Sequence, residues 1–352
     1  MANRFPPFGR LQATTIALRL GRALGLGGGS EQQAWRPPRP VADVAGRRRA
    51  ALPSAEQQRY DALLARMGGA GVPDPAAAGA VIQRAFAGGS SFEALDHLAL
   101  AWPELTDSER SQVAAPLRSR QGTRDVLLAD APARQTDQTT CGSTVLAMLA
   151  AAGDPLLALW LVTGRGATGR LPVEVAALDA SAQAAPTALA RFAAVQLGTK
   201  TRSNRRALGP FSWPARMGTP PWGAARVARH PGVSFRGVMI DDTDTDGFAA
   251  LLDRADHALA AGVPVPLFTG GDLSTGLMTA APRHVVLLTP REAVVGEGAV
   301  GEGATDAITY VLFDPASGAL YDVTRAEMLE STGPRPAFGG WSHVCWAILP
   351  ES

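Results

Sequence analysis

Apolar positions along this chain fall into two regimes. In the first they recur three and four residues apart, as on one face of a helix; from Val233 onward they gather in short β-branched or aromatic runs separated by turn residues. Residues 53–120 carry four helix signatures. Ser54 with Gln57, and Thr106 with Glu109, have capping-box spacing, while Asp74-Pro75 and the stretch Ser90 to Phe92 have the character of two further helix starts. His97 falls inside one helical pattern and reads as a surface or half-buried side chain. The run Val145 to Ala152 predicts a helix opened by Cys141 and ending near Gly153. Asp154-Pro155 then starts a helix through Leu156 to Val162, although apolar residues so contiguous also fit a buried strand. Leu171 to Val195 predicts alanine-rich helix broken at Pro186, Gly198 to Trp222 a long loop, and Thr219-Pro220-Pro221 the cap of a short helix, Trp222 to Ala228.

In the second regime Val233 to Ile240 predicts a strand, and Asp246 to Ala261 an amphipathic helix ended by Gly262. Strands then follow over Val263 to Phe268, His284 to Leu288, Thr309 to Phe313 and Val344 to Leu349. Pro290 to Asp306, in which Gly296-Glu297-Gly298 is echoed by Gly301-Glu302-Gly303, reads as a flexible loop. The fold class is therefore α+β, a helix packed against a mainly antiparallel sheet and preceded by a small helical domain. The boundaries predicted are a flexible or basic amphipathic segment over 1–50, a helical domain over 51–125, and the α+β domain over 126–352. Within 1–50 order is expected only from Arg10 to Leu26, where Ile16, Leu20 and Leu24 stand at helical spacing, with Pro37-Pro38-Arg39-Pro40 as a linker. Contact of residues 10–26 with a membrane is the alternative to a helix packed on its own domain or a mobile tail. Arg19 and Arg22 interrupt its apolar run, so it is a poor secretory signal, and a cytoplasmic protein is expected, with export by a non-classical route left open.

Composition narrows the chemistry. At 352 residues, 46% hydrophobic and net charge +1, the chain has core enough for about two domains and no bulk charge that would recruit nucleic acid. Two cysteines, Cys141 and Cys345, rule out a disulfide framework and a four-cysteine zinc site. His343 and Cys345 alternate on one strand, but two ligands are too few for zinc, and they read as core or rim residues. Two glycine patterns, Gly164 to Gly169 and Gly296 to Gly301, have dinucleotide-fingerprint spacing. The first lacks an acid at the right distance and the second lies in an acidic stretch, so no cofactor and no metal is expected.

Cys141 carries the sharpest signal. It sits in Gln135-Thr136-Asp137-Gln138-Thr139-Thr140-Cys141-Gly142, directly ahead of a helix-forming run. Unpaired N–H groups and the positive end of a helix dipole favour a thiolate there. Gln135, six residues upstream, has room to turn its amide back beside the Cys141 N–H, giving two donors for an oxyanion; Gln138 is the alternative donor. Such a thiolate needs a base oriented by a carboxylate or amide. His284 opens one strand and Asp314 closes the next, an arrangement that lets the two meet at one end of a sheet.

With these residues the chain resembles the papain-like cysteine peptidases, particularly the branch that includes the bacteriocin-leader-processing peptidases. The resemblance spans roughly residues 130 to 350 and rests on Gln135, Cys141, His284 and Asp314-Pro315 in that order. It implies a papain-like fold, Cys141 as nucleophile, His284 as base, Asp314 as its orienting carboxylate, Gln135 as oxyanion donor, and a protein or peptide substrate. The Gly198 to Trp222 and Pro290 to Asp306 loops are longer than it implies, and the segment before residue 130 has no counterpart in it. A transglutaminase-like or deamidating acyltransferase of the same fold, and a catalytically inactive interaction scaffold, are the other readings. The helical domain would cover the cleft as a pro-region or recognise substrate.

Overall fold

The structure, a computed structural model, describes residues 11–24, 35–166, 171–274, 276, 279–290, 309–330 and 333–352. The Pro290 to Asp306 loop beyond Pro290, the second glycine pattern, and the end of the first at 167–169 lie outside the described residues.

Helices come first along the chain: α1 (Ala13–Ala23), α2 (Val41–Ala50), α3 (Ser54–Met67), α4 (Pro75–Ala87), α5 (Phe92–Ala101) and α6 (Asp107–Ala114). A short hairpin, β1 (Leu127–Leu128) and β2 (Ala131–Pro132), precedes α7 (Cys141–Gly153) and α8 (Pro155–Thr163). Next come α9 (Val173–Ala176), α10 (Ala180–Gln183), α11 (Ala188–Asn204) and α12 (Pro221–Val227). The remainder alternates: β3 (Ser234–Met239), α13 (Thr245–Ala260), β4 (Val265–Gly270), β5 (His284–Thr289), β6 (Thr309–Asp314), β7 (Ala319–Thr324), α14 (Arg325–Leu329) and β8 (His343–Glu351).

The four helices expected over 53–120 are present, and their caps show why. Asp74 accepts from Ala77 N–H, Ser91 from Ala94 N–H, and Thr106 with Glu109 forms a full capping box. The box expected from Ser54 and Gln57 does not form. Pro53 is the N-cap, Ser54 is already helical, and Gln57 Nε2 donates to the Leu52 carbonyl instead.

Other expectations are corrected as well. The helix expected over Leu156 to Val162, by contrast, is present and the competing strand is not: Asp154 caps α8 through the Leu156 and Leu157 N–H groups, and the helix is apolar all round because it is buried all round. The long loop starts at residue 205, not 198, because α11 continues to Asn204. Thr219 does not cap α12; Pro220 is its N-cap and the Thr219 hydroxyl is buried without a hydrogen-bond partner. Order within 1–50 is not confined to the first helix. Residues 41–50 form α2, held by Arg48, whose guanidinium stacks on Phe86 and donates to the Phe86 and Ser90 carbonyls.

The chain divides into two compact units. One gathers residues 36–236, 315–319 and 350–352 and contains α2 to α12. Here α7 is surrounded by α8, α11 and α12, and α8 also carries α4 and α6. The other gathers residues 1–35, 237–314 and 320–349 around a six-stranded sheet of order β3-β8-β4-β5-β6-β7, with β4 antiparallel to both β5 and β8 and β5 antiparallel to β6. This observed mixture of helices and an antiparallel sheet is α+β. Strands β4 and β5 are buried along their whole length, α13 lies on β4, and α1 belongs to the same unit through Leu11, Gln12 and Arg19. Among the described residues no single helix is long and apolar enough to cross a membrane.

Candidate functional site

The helix-rich unit carries Cys141. It is the first residue of α7, 6% exposed, and no side chain caps the helix ahead of it. The loop before it is stitched together locally. Asp137 accepts from the Thr139 N–H and hydroxyl, both at 2.6 Å, and these bonds, the hydroxyl foremost, hold its carboxyl below the usual carboxylate range. Thr140 Oγ1 bridges back to the Asp137 carbonyl at 2.9 Å. Lys200, from α11, donates to the Thr139 hydroxyl.

Gln135 lies in the same loop. Its Nε2 donates to the Asp137 carbonyl at 2.9 Å, while its Oε1 is buried without a hydrogen-bond partner. Its backbone N–H donates to the carbonyl of Pro315, the residue after Asp314, at 2.8 Å, and Arg134 Nε donates to Ser317. Gln138 is exposed. A residue that motif reading passed over anchors this loop: Gln196 of α11, 1% exposed, accepts from the Thr136 N–H and hydroxyl at 2.8 Å and donates to the Arg134 carbonyl at 2.9 Å. Its only sequence signal is a polar amide in the alanine-rich run of α11.

The sheet unit carries His284 and Asp314, and the structure brings these two together. His284 Nε2 lies 2.6 Å from Asp314 Oδ1, with both side chains buried. Strand register explains the meeting. Leu287 faces Phe313 across the β5–β6 pair, so Asp314 falls opposite Val286, two residues along the same face from His284, a diagonal within side-chain reach. Because Asp314 takes Nε2, the nitrogen that would handle a thiol proton is Nδ1.

A second element fixes the ring. The Phe338 carbonyl accepts from Thr269 Oγ1 at 2.9 Å, and Thr269 is the cross-strand partner of His284. The chain then turns at Gly339 in the left-handed region (φ 65°), directly on the imidazole. A β-carbon at Gly339 would stand 2.5 Å from His284 Nε2, inside any tolerable contact.

The same unit holds a second histidine between carboxylates, which sequence reading treated as core or rim. His343 Nδ1 lies 3.0 Å from Asp242 Oδ2, and its Nε2 3.7 Å from Asp272. Burial alone would push its pKa down, but the two acids outweigh that and raise it. Cys345 is fully buried with Sγ on the Phe268 carbonyl, and burial, then Asp242, drives its thiol far above the usual range. Cys345 is thus an inert thiol. Among the described residues no group of three or more His, Cys, Asp or Glu side chains is arranged to hold a metal ion.

The remaining histidines are not gathered with these residues. His230 is buried against Gly153, and burial, then Arg84 and Arg229, lowers its pKa to about 3. His257 bonds the Asp253 carbonyl within α13. No protein-family model matches this chain, and no curated protein matches it.

Proposed function

We propose that the chain is a thiol-dependent hydrolase of papain-like type that cleaves a peptide or isopeptide bond. The observation that carries the reading is the buried His284–Asp314 pair, with Nε2 2.6 Å from Oδ1. Two others support it: Cys141 stands at an uncapped helix start, and the Gln135 loop is tied to Pro315, one residue beyond Asp314.

In this reading His284 Nδ1 takes the Cys141 thiol proton, and the thiolate attacks the carbonyl carbon. The oxyanion is held by the Cys141 N–H and by the second N–H of Gln135 Nε2, the first being engaged by Asp137. Imidazolium then returns the proton to the leaving amine, which departs as a thioester forms. Water, deprotonated by the same imidazole, attacks the thioester and releases the acid and the thiol. Asp314 keeps the ring oriented and stabilises its charged form.

The reading requires the Cys141 sulfur and the His284 ring to act on one another, and alkylation tests this directly. Iodoacetamide at neutral pH, followed by peptide mapping, should label Cys141 and spare Cys345, with His284→Ala slowing the labelling by about a hundredfold. Labelling of Cys141 at an unchanged rate in His284→Ala sinks the proposal. Incubating the wild type and Cys141→Ala with cell lysate, and sequencing new N-termini by mass spectrometry, then reads the substrate.

A further inference from the structure

Residues 180–240 contain no aspartate or glutamate, yet they hold Arg191, Lys200, Arg202, Arg205, Arg206, Arg216, Arg226, Arg229 and Arg236. In a chain of net charge +1 this is a concentrated excess of one sign. Part of it is neutralised within the fold: Arg229 pairs with Asp154 and Glu174, and Arg202 approaches Glu174. Arg205, Arg206 and Arg216 are exposed, and none of the three forms an ion pair among the described residues.

The same stretch exposes large apolar side chains. Phe211 is 72% exposed, Met217 52%, Leu208 45% and Trp222 42%. They are set on an ordered frame. Leu208 and Phe211 exchange both backbone hydrogen bonds across a tight turn at Gly209 (φ 63°) and Pro210. Trp222 Nε1 donates to the Ala207 carbonyl at 2.7 Å, and the Trp213 ring meets Trp222 edge-on with centroids 5.3 Å apart. With its indole N–H satisfied internally, Trp222 presents a fixed hydrocarbon wall to its outer side. Exposed apolar surface of this density, rimmed by charge, marks a site of contact with another molecule.

Its inner edge adjoins the nucleophile loop within one unit. Asn204 Nδ2 holds the Gly218 carbonyl at 3.1 Å, and a β-carbon on Gly218 would meet the Thr139 carbonyl at 3.5 Å, two residues before Cys141. Asp137, the acid of that loop, is turned onto Thr139.

We propose that residues 205–222 form a docking platform for a peptide segment that combines acidic with aromatic or aliphatic side chains, next to the bond presented to Cys141. The proposal deepens the hydrolase reading and rests on it for the role of the bound segment. Arginines confer the sign preference and steer encounter, and the apolar wall supplies the contact area. Single-stranded RNA is the other polyanion that stacks on aromatics, but here the platform's most exposed groups include the aliphatic Met217 and Leu208.

The test measures binding apart from chemistry, by fluorescence anisotropy on the full chain carrying Cys141→Ala. The probes are a fluorescein-labelled peptide alternating Glu with Phe and Leu, its counterpart with Lys for Glu, and an oligouridine of matched length. The Glu peptide should bind about tenfold more tightly than the Lys peptide. Phe211→Ser with Met217→Ser, and separately Arg205→Glu with Arg206→Glu, should each weaken it about tenfold. All four positions are exposed, so the variants should keep the parent's circular dichroism and melting profile. Equal binding of the two peptides, indifference to the variants, or preference for oligouridine overturns the platform. Peptide binding that follows these rules, in a protein whose Cys141 alkylates independently of His284, rejects the hydrolase and keeps the docking surface.

Discussion

Gly339 has only hydrogen where any other residue would carry a β-carbon, and the His284 imidazole occupies that volume. The position also has φ 65°, where L side chains are strained. Gly339→Ala therefore meets two penalties, one in the backbone and one against the ring, and the ring is the movable partner. A displacement of about 1 Å at a reacting group costs about a hundredfold in rate. Gly339→Ala should slow iodoacetamide labelling of Cys141 by that order and flatten its dependence on pH, while circular dichroism stays native. Labelling at the parent rate, with a parent pH profile, would show that the turn at 339 does not position the base.

At the scale of elements, one side chain joins three of them. Arg325, at the start of α14, reaches Asp253, Asp256 and the Ala249 carbonyl of α13 and the Tyr310 hydroxyl of β6. Burial, then Asp256, raises the Tyr310 phenol well above its usual range, so the hydroxyl stays protonated beside that acid. Arg325→Met keeps the stem and removes every donor, leaving the buried Tyr310 hydroxyl and the half-buried Asp256 and Ala249 acceptors unanswered, while exposed Asp253 turns to water. It should lower stability in urea by about 2 kcal/mol, and a loss below about 0.5 kcal/mol would mean that the cluster is solvated rather than structural. Arg325 also shows what could not be read from the chain alone. Helices with local caps, such as α4 at Asp74 and α6 at Thr106, were legible because the capping partner lies three residues away. The His284–Asp314 pair was legible because strand ends are marked by their flanking residues. Helix α2 was not, since it buries only Ala45 and is held by Arg48 reaching Phe86 and Ser90; Gln196 and Gly339 were not, since each acts on residues more than fifty positions away. β7 escaped because only Ala319 and Val323 of its six residues are buried, so it lacks the apolar run that marks β4 and β5.

Over the whole molecule, one buried histidine in each unit predicts opposite responses to pH. His230 has a folded pKa near 3 against about 6.5 unfolded, so its neutral burial contributes stability that is complete above about 6.5 and declines as pH falls toward 3. Between about pH 6.5 and pH 5 the loss is about 2 kcal/mol. His343, held between Asp242 and Asp272 with Gln12 also on Asp242, has a raised pKa, so its contribution is complete below about 6.5 and is lost as pH rises through the folded value. Hydrogen exchange should therefore show the helix-rich unit opening first under mild acid and the sheet unit first under mild alkali. His230→Gln should flatten the acid limb alone, and His343→Gln the alkaline limb alone. Parallel behaviour of both units at both ends would refute the assignment.

The division of the chain between the units has a consequence for biosynthesis. Residues 11–24 belong with segments around 241, 273 and 280 and with a sheet completed by β8. Helix α1 thus leaves the ribosome well before the segments on which it packs. At about 5–20 residues per second its Arg19 waits roughly 10–45 s for Asp241. By the end of that interval the helix-rich unit already has nearly all of its polypeptide, so nascent molecules pass through a stage in which Cys141 is housed before His284 has been translated.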